Sequence, residues 1–217
     1  MLATQLEHAG YASLRFDYSS TGDSQGDSEA ASVDAWIDDI AAAADRLRDT
    51  TGATRVAVVG LRFGATLAAL ASARGELRPR HLLLWDPVVD GRGYLRELVD
   101  QHRSYMRAEI GARWQDRLEI EDGVPAEALG APIGAVLGGQ IAAIDLAAMT
   151  ARAEYLTVVT TRATPAIERW RPQLPAATRW IEMTESPAWN SDAALNAMTV
   201  PMDIVQALVA RIEETAP

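Results

Sequence analysis

The apolar positions of the chain alternate between short continuous runs and helical stripes. Arg55–Val59 (RVAVV), His81–Trp85 (HLLLW) and Tyr155–Thr160 (YLTVVT) are runs of β-branched and large aliphatic residues, the pattern of strands covered on both faces. Tyr11–Phe16, behind Gly10, reads as a shorter strand of this kind, and Thr178–Met183 as a fifth. Between the runs the apolar spacing changes to three and four. Trp36, Ile37, Ile40, Ala44 and Leu47 predict a helix from Val33 to about Asp49, capped by Ser32 and closed at Gly52. An Ala-rich segment from about Phe63 to Ala73 predicts a second. Leu95, Leu98, Val99, His102, Tyr105 and Met106 mark a third, and Ile204, Val205, Leu208, Val209 and Ile212 behind Pro201 a last one. Met1–His8 reads as the tail of a helix, and Ser19–Ser32 as a polar loop holding Gly22 and Gly26.

Buried-type strands separated by helices imply parallel pairing with both sheet faces covered, hence an α/β fold, a three-layer α/β/α sandwich. The 217 residues fit one domain, 1–217. Residues 88–154, between the third and fourth strands, are too many for a loop and read as a cap insert, with Gly130, Gly134, Gly138 and Gly139 in close packing.

Composition narrows the chemistry. The chain has no Cys, no Lys and three His (His8, His81 and His102), which excludes thiolate catalysis, Cys-ligated metals, a Schiff-base lysine and a P-loop lysine. No cofactor is implied. A net charge of -10 argues against nucleic acid as a partner. No apolar run is long enough for a membrane span, and the N-terminus does not read as a signal peptide, so a cytoplasmic location is expected.

The densest signal is Gly60-Leu61-Arg62-Phe63-Gly64, which leaves RVAVV and enters ATLAALASA. A strand that ends in Gly-x-x-x-Gly and turns straight into a helix resembles the nucleophile elbow of the α/β-hydrolases. Leu14-Arg15-Phe16-Asp17-Tyr18 followed by Thr21-Gly22-Asp23-Ser24-Gln25-Gly26, and then Trp36, Asp39 and Ile40, resemble the segment before the elbow in serine-aminopeptidase-like members. Leu83-Leu84-Trp85-Asp86-Pro87-Val88 with Tyr94-Leu95 is similar to a branch near the exosortase-associated hydrolases. The resemblance covers most of residues 1–110 and implies the α/β-hydrolase fold with an ester or acyl hydrolase site.

This sequence departs from that pattern at each position of the implied triad. The nucleophile position holds Arg62, and a guanidinium is not a nucleophile. The implied base would follow the last strand, where residues 184–200 contain Thr184, Glu185, Trp189, Asn190 and Asp192 but no His. The implied acid would follow Tyr155–Thr160, where Thr161–Thr164 offers Arg162 and no carboxylate, and Glu168 stands further on. The resemblance also implies three strands before Tyr11, the third lying between Tyr11–Phe16 and Arg55–Val59 and carrying an oxyanion-hole N–H. Residues 1–10 are expected to form no strand there. Three alternatives follow: the chain is a fragment, the flanking strands close up, or another chain, such as a second copy, fills the slot.

Arg62 has two compatible roles: an ion pair with Asp86, or an anion site at a helix N-terminus together with Phe63. His102 lies on the stripe of the cap helix and reads as a satisfied packing residue, with a catalytic base as the alternative. His8 and His81 fall at the wrong edge for chemistry. Ser19, Ser20 and Ser24 lie in the polar loop; a displaced Ser nucleophile among them needs a base within hydrogen-bond reach. Asp17 and Asp23 read as turn-bonding carboxylates and not as metal ligands. Trp85, Trp170, Trp180 and Trp189 read as core filling. Three functions stay open: a degenerate hydrolase binding a small acyl or anionic ligand or a partner; an active hydrolase whose displaced site uses His102, Asp86 and Ser19; or a fragment completed by a missing segment or second chain.

Overall fold

A computed structural model of the chain describes residues 1–113, 115–183 and 201–215. In chain order the helices are α1 (Leu2–His8), α2 (Val33–Thr51), α3 (Phe63–Arg74), α4 (Gly91–Ile110), α5 (Ala135–Ala142), α6 (Pro165–Trp170) and α7 (Met202–Thr215). The strands are β1 (Ala57–Leu61), β2 (His81–Trp85), β3 (Ile120–Glu121), β4 (Val124–Pro125), β5 (Glu127–Ala128), β6 (Ala131–Pro132), β7 (Tyr155–Thr160) and β8 (Arg179–Glu182). They divide into two compact units. One is Met1–Phe16, Ile37–Val88 and Leu146–Pro217; the other is Asp17–Trp36 and Val89–Asp145.

The first unit holds a parallel sheet in the order β1-β2-β7-β8. All five residues of β2 are buried, as a central parallel strand with two covered faces requires. On one face Leu83, Trp85 and Val159 pack against Ile204, Leu208 and Ile212 of α7, with Leu2 and Leu6 of α1 added at the side. α3 packs on β1 and β2. Its eight consecutive buried residues, Ala65 to Ser72, are small enough for the helix to be enclosed all round. The expected α/β sandwich is therefore present.

Local signals acted where expected. Ser32 Oγ accepts the Ala35 N–H at 3.1 Å at the start of α2, and Gly52 closes it with φ +72°. Ile37, Ile40 and Ala44 are buried on α2. β2 and β7 coincide with the sequence reading.

Two strand expectations are corrected. Tyr11–Phe16 is not a strand and belongs to none of the sheets, and Leu14 and Phe16 are 37% and 40% exposed. A β-branched or aromatic run becomes a strand only where a neighbour supplies a ladder, and residues 1–10 form helix α1 instead of an adjoining strand. The strand expected at Arg55–Val59 runs from Ala57 to Leu61 and is only partly covered, because it forms one edge of the sheet.

The second unit pairs α4 with two short hairpins and α5. The hairpin loops Asp122-Gly123 and Leu129-Gly130 have positive φ at both residues, the two-residue turn that matches strand twist. Small residues allow close approach here: a Cβ on Gly91 would lie 1.7 Å from the Ile141 carbonyl oxygen, and one on Gly138 2.1 Å from Val124. Gly134 is similarly close to Glu29, whereas Gly139 faces open space. On α4, Leu95, Val99 and His102 are buried, while Tyr105 is exposed despite its place on the stripe.

Candidate functional site

The carboxyl edge of the sheet is levelled by register. Leu61 pairs with Trp85, and Trp85 with Val159. The next residues, Arg62, Asp86 and Thr160, therefore emerge side by side. The backbone ties continue past the strands: Arg62 N–H donates to the Trp85 carbonyl at 2.8 Å, and Asp86 N–H donates to the Val159 carbonyl at 2.9 Å.

Arg62 is the first turning residue of the elbow. It has φ +51° and ψ −121°, and its carbonyl accepts the Ala65 N–H at 3.0 Å as α3 begins. The elbow depends on Gly60, where a Cβ would lie 2.4 Å from Ala65 Cα and 2.7 Å from both Ala65 N and the Gly64 oxygen. These are backbone atoms that cannot swing aside. α3 starts with neither a side-chain cap nor an acidic residue in its first turn. No acidic residue within that turn offsets the positive end of its dipole. Phe63 occupies the first helical position and is half-buried.

Asp86 also carries positive φ, +44°, and is 1% exposed. Its Oδ1 accepts the Thr161 N–H at 2.7 Å, and its Oδ2 accepts the Thr161 hydroxyl at 2.5 Å. Beyond it, the Thr66 hydroxyl donates to the Val88 carbonyl at 2.9 Å and accepts the Val88 N–H at 2.8 Å. Asp86-Pro87-Val88 is thereby clamped to α3 on one side and to the end of β7 on the other. Two adjacent non-glycine residues with left-handed φ at one sheet edge are a local concentration of strain, which folds retain where the surroundings impose it, and most often at functional sites. Along the same edge a cavity of about 240 Å³ is lined by Thr160, Thr161, Arg162, Arg171, Trp180 and Glu182, among others.

The structure thus brings together Arg62, Phe63 and Asp86. It places His102 and Ser19 in the other unit. His102 Nδ1 accepts the Leu129 N–H at 3.1 Å, so its proton sits on Nε2, which stands 3.8 Å from Glu127 Oε1. This buried ring holds a hairpin turn. The Ser19 carbonyl accepts the Trp36 indole N–H at 2.9 Å. The segment 184–200 expected to carry a base lies outside the described residues, and so does Trp189. Trp85 and Trp170 are core residues; Trp170 meets Trp180 edge-on at 6.4 Å, and Arg171 stacks on the Trp180 ring at 4.7 Å.

Sequence reasoning missed Thr161 and Thr66. A signal existed for the first: once Trp85 and Val159 are placed in register, the hydroxyl two residues after Val159 is within reach of the carboxylate after Trp85. No group of three or more His, Cys, Asp or Glu among the described residues could hold a metal ion, and no described helix is long and apolar enough to cross a membrane.

Solved structures share this fold. Mouse alpha/beta hydrolase domain-containing protein 10 superposes with a TM-score of 0.61 at 14% identity, over 98% of this chain and 81% of its own. VinJ gives 0.62 at 13% identity, over 99% and 85%. The alpha/beta hydrolase GrgF from Penicillium sp. sh18 gives 0.55 at 12% identity, over 90% and 78%. The chain has the α/β-hydrolase fold. No family model matches it, and no curated protein matches it. At these identities the likeness concerns the fold; function rests on the residues at the site.

Proposed function

We propose that this α/β-hydrolase-fold protein binds a small acyl or other carboxylate-bearing ligand at the elbow and does not hydrolyse it. The observation that carries this reading is the elbow itself. Its strand-to-helix turn and its close glycine contact are complete, yet its apex residue is Arg62. A guanidinium has five donors in a planar fork, so it can meet a carboxylate while keeping a protein partner. The adjoining N-terminus of α3, without an acidic residue in its first turn, adds N–H groups of the same sign. Asp86 contributes rigidity: with both carboxylate oxygens on Thr161, it holds the strand end beside Arg62.

The test combines binding and turnover. Acetate, butyrate and octanoate are titrated against the thermal midpoint of the wild type and of Arg62→Ala, and p-nitrophenyl butyrate hydrolysis is followed in parallel. The expected result is a midpoint raised by at least one carboxylate in the wild type only, with hydrolysis at the buffer rate. Hydrolysis that survives Arg62→Ala and disappears in His102→Ala would overturn the reading in favour of a displaced active site. A midpoint that no carboxylate moves would also overturn it.

A further inference from the structure

Among the described residues, the outer edge of β1 is paired with no other strand. Val56 carbonyl accepts the Arg80 N–H at 2.9 Å before the strand, and Arg62 N–H donates to Trp85 after it. In a strand the N–H and C=O of one residue point to the same side, and successive residues alternate. Val58 and Gly60 therefore bond towards β2, whereas Ala57, Val59 and Leu61 direct both groups away from it. Among the described residues no strand pairs with that side. The opposite edge strand, β8, carries Arg179 and Glu182, the charged ends that discourage strand addition. β1 reads Ala-Val-Val-Gly-Leu and has no charge; Ala57 is exposed and Leu61 is 38% exposed.

We infer that β1 is a self-association edge, on which a second copy of this chain pairs antiparallel about a two-fold axis at Val59. The sequence of the strand is self-complementary in that register. Val59 faces the partner's Val59, Ala57 faces the partner's Leu61, and Val58 faces the partner's Gly60, so each large residue except Val59 meets a small one and no like charges are opposed. The residues with outward N–H and C=O groups, Ala57, Val59 and Leu61, are the ones that come opposite one another, forming three hydrogen-bonded pairs with about six inter-chain bonds. An isologous contact of this kind closes on itself and stops at two chains. It joins two four-stranded sheets into one and buries the edge that ends at Leu61, directly before Arg62. The pairing does not depend on what the elbow binds.

Light scattering on the full chain tests this. The expected mass is that of two chains for the wild type and one chain for Val59→Pro, which removes the central outward N–H without touching a bond to β2. The Ala57→Lys/Leu61→Lys double variant serves as a second probe, because it keeps every backbone donor and adds charge at the edge; it too is expected at the mass of one chain, with the wild-type circular dichroism. A wild type at the mass of one chain, a species larger than two chains, or a dimer that the lysine pair leaves intact would overturn the inference.

Discussion

Asp86 and Thr161 form a closed two-bond unit: the carboxylate takes the backbone N–H on one oxygen and the side-chain hydroxyl on the other, at 2.7 and 2.5 Å. The unit ties the end of β2 to the end of β7 and keeps a fully buried charge supplied with donors. It lies beside Arg62 at the sheet edge that the proposed ligand would meet.

Replacing Thr161 by Val removes the hydroxyl donor and keeps the shape. One oxygen of a buried carboxylate is then left without that bond, a loss of about 2 kcal/mol for a hydrogen bond to a charged group. Urea denaturation is expected to show that loss with an unchanged slope. An unchanged midpoint would mean that Asp86 has another donor ready to take over.

His81 sets a pH dependence. Its ring is 1% exposed and lies between Thr215 Oγ1 and Thr157 Oγ1, each at 2.8 Å. The Thr215 hydroxyl proton is used on the Arg211 carbonyl at 3.0 Å, so Nδ1 donates to Thr215 and Nε2 accepts from Thr157. Burial, and then the charge of Arg211, lowers the His81 pKa from 6.5 to about 4. Between these values the unfolded chain takes up a proton that the folded ring refuses. The stability contributed by the neutral ring is complete above pH 6.5 and is lost as pH falls towards 4, in total on the order of 3 kcal/mol. His81→Asn is expected to lose less stability than the wild type over that window, whatever its starting value. Parallel curves would refute the assignment.

The glycines separate into two kinds under substitution. Gly60→Ala drives a Cβ into the backbone of Ala65 and Gly64 and is expected to cost about 3 kcal/mol. Gly139→Ala adds its Cβ in open space within α5, where the helix gains about 1 kcal/mol from the replacement. Thermal midpoints should move in opposite directions.

Arg62→Ser places a hydroxyl at the elbow without supplying a base. Residues 184–200 contain no His, and the hydroxyl and amide of Thr161 are committed to Asp86. A serine without a base is not activated. Hydrolysis of p-nitrophenyl butyrate by this variant is expected at the buffer rate. A clear acceleration would show that a base reaches the elbow from elsewhere.

Strands, helices and the elbow were legible in the sequence because their signals are local. Four residues of HLLLW, Leu82 to Trp85, are apolar without interruption, Ser32 and Gly52 bracket a helix by short-range bonds, and Gly60 stands where the following turn leaves no room for a Cβ. That Arg62 stands at the apex was legible for the same reason: it is a matter of which residue occupies one position of one turn. What Tyr11–Phe16 would become was not, since its composition suits a strand but a strand exists only with a neighbour, and residues 1–10 wind into α1. The half-exposed state of β1, the clamp of Thr161 on Asp86 and the hold of His102 on the Leu129 turn were likewise decided by tertiary structure. Each depends on two segments remote in sequence meeting at one register, and the spacing of residues along a single segment carries no information about that meeting.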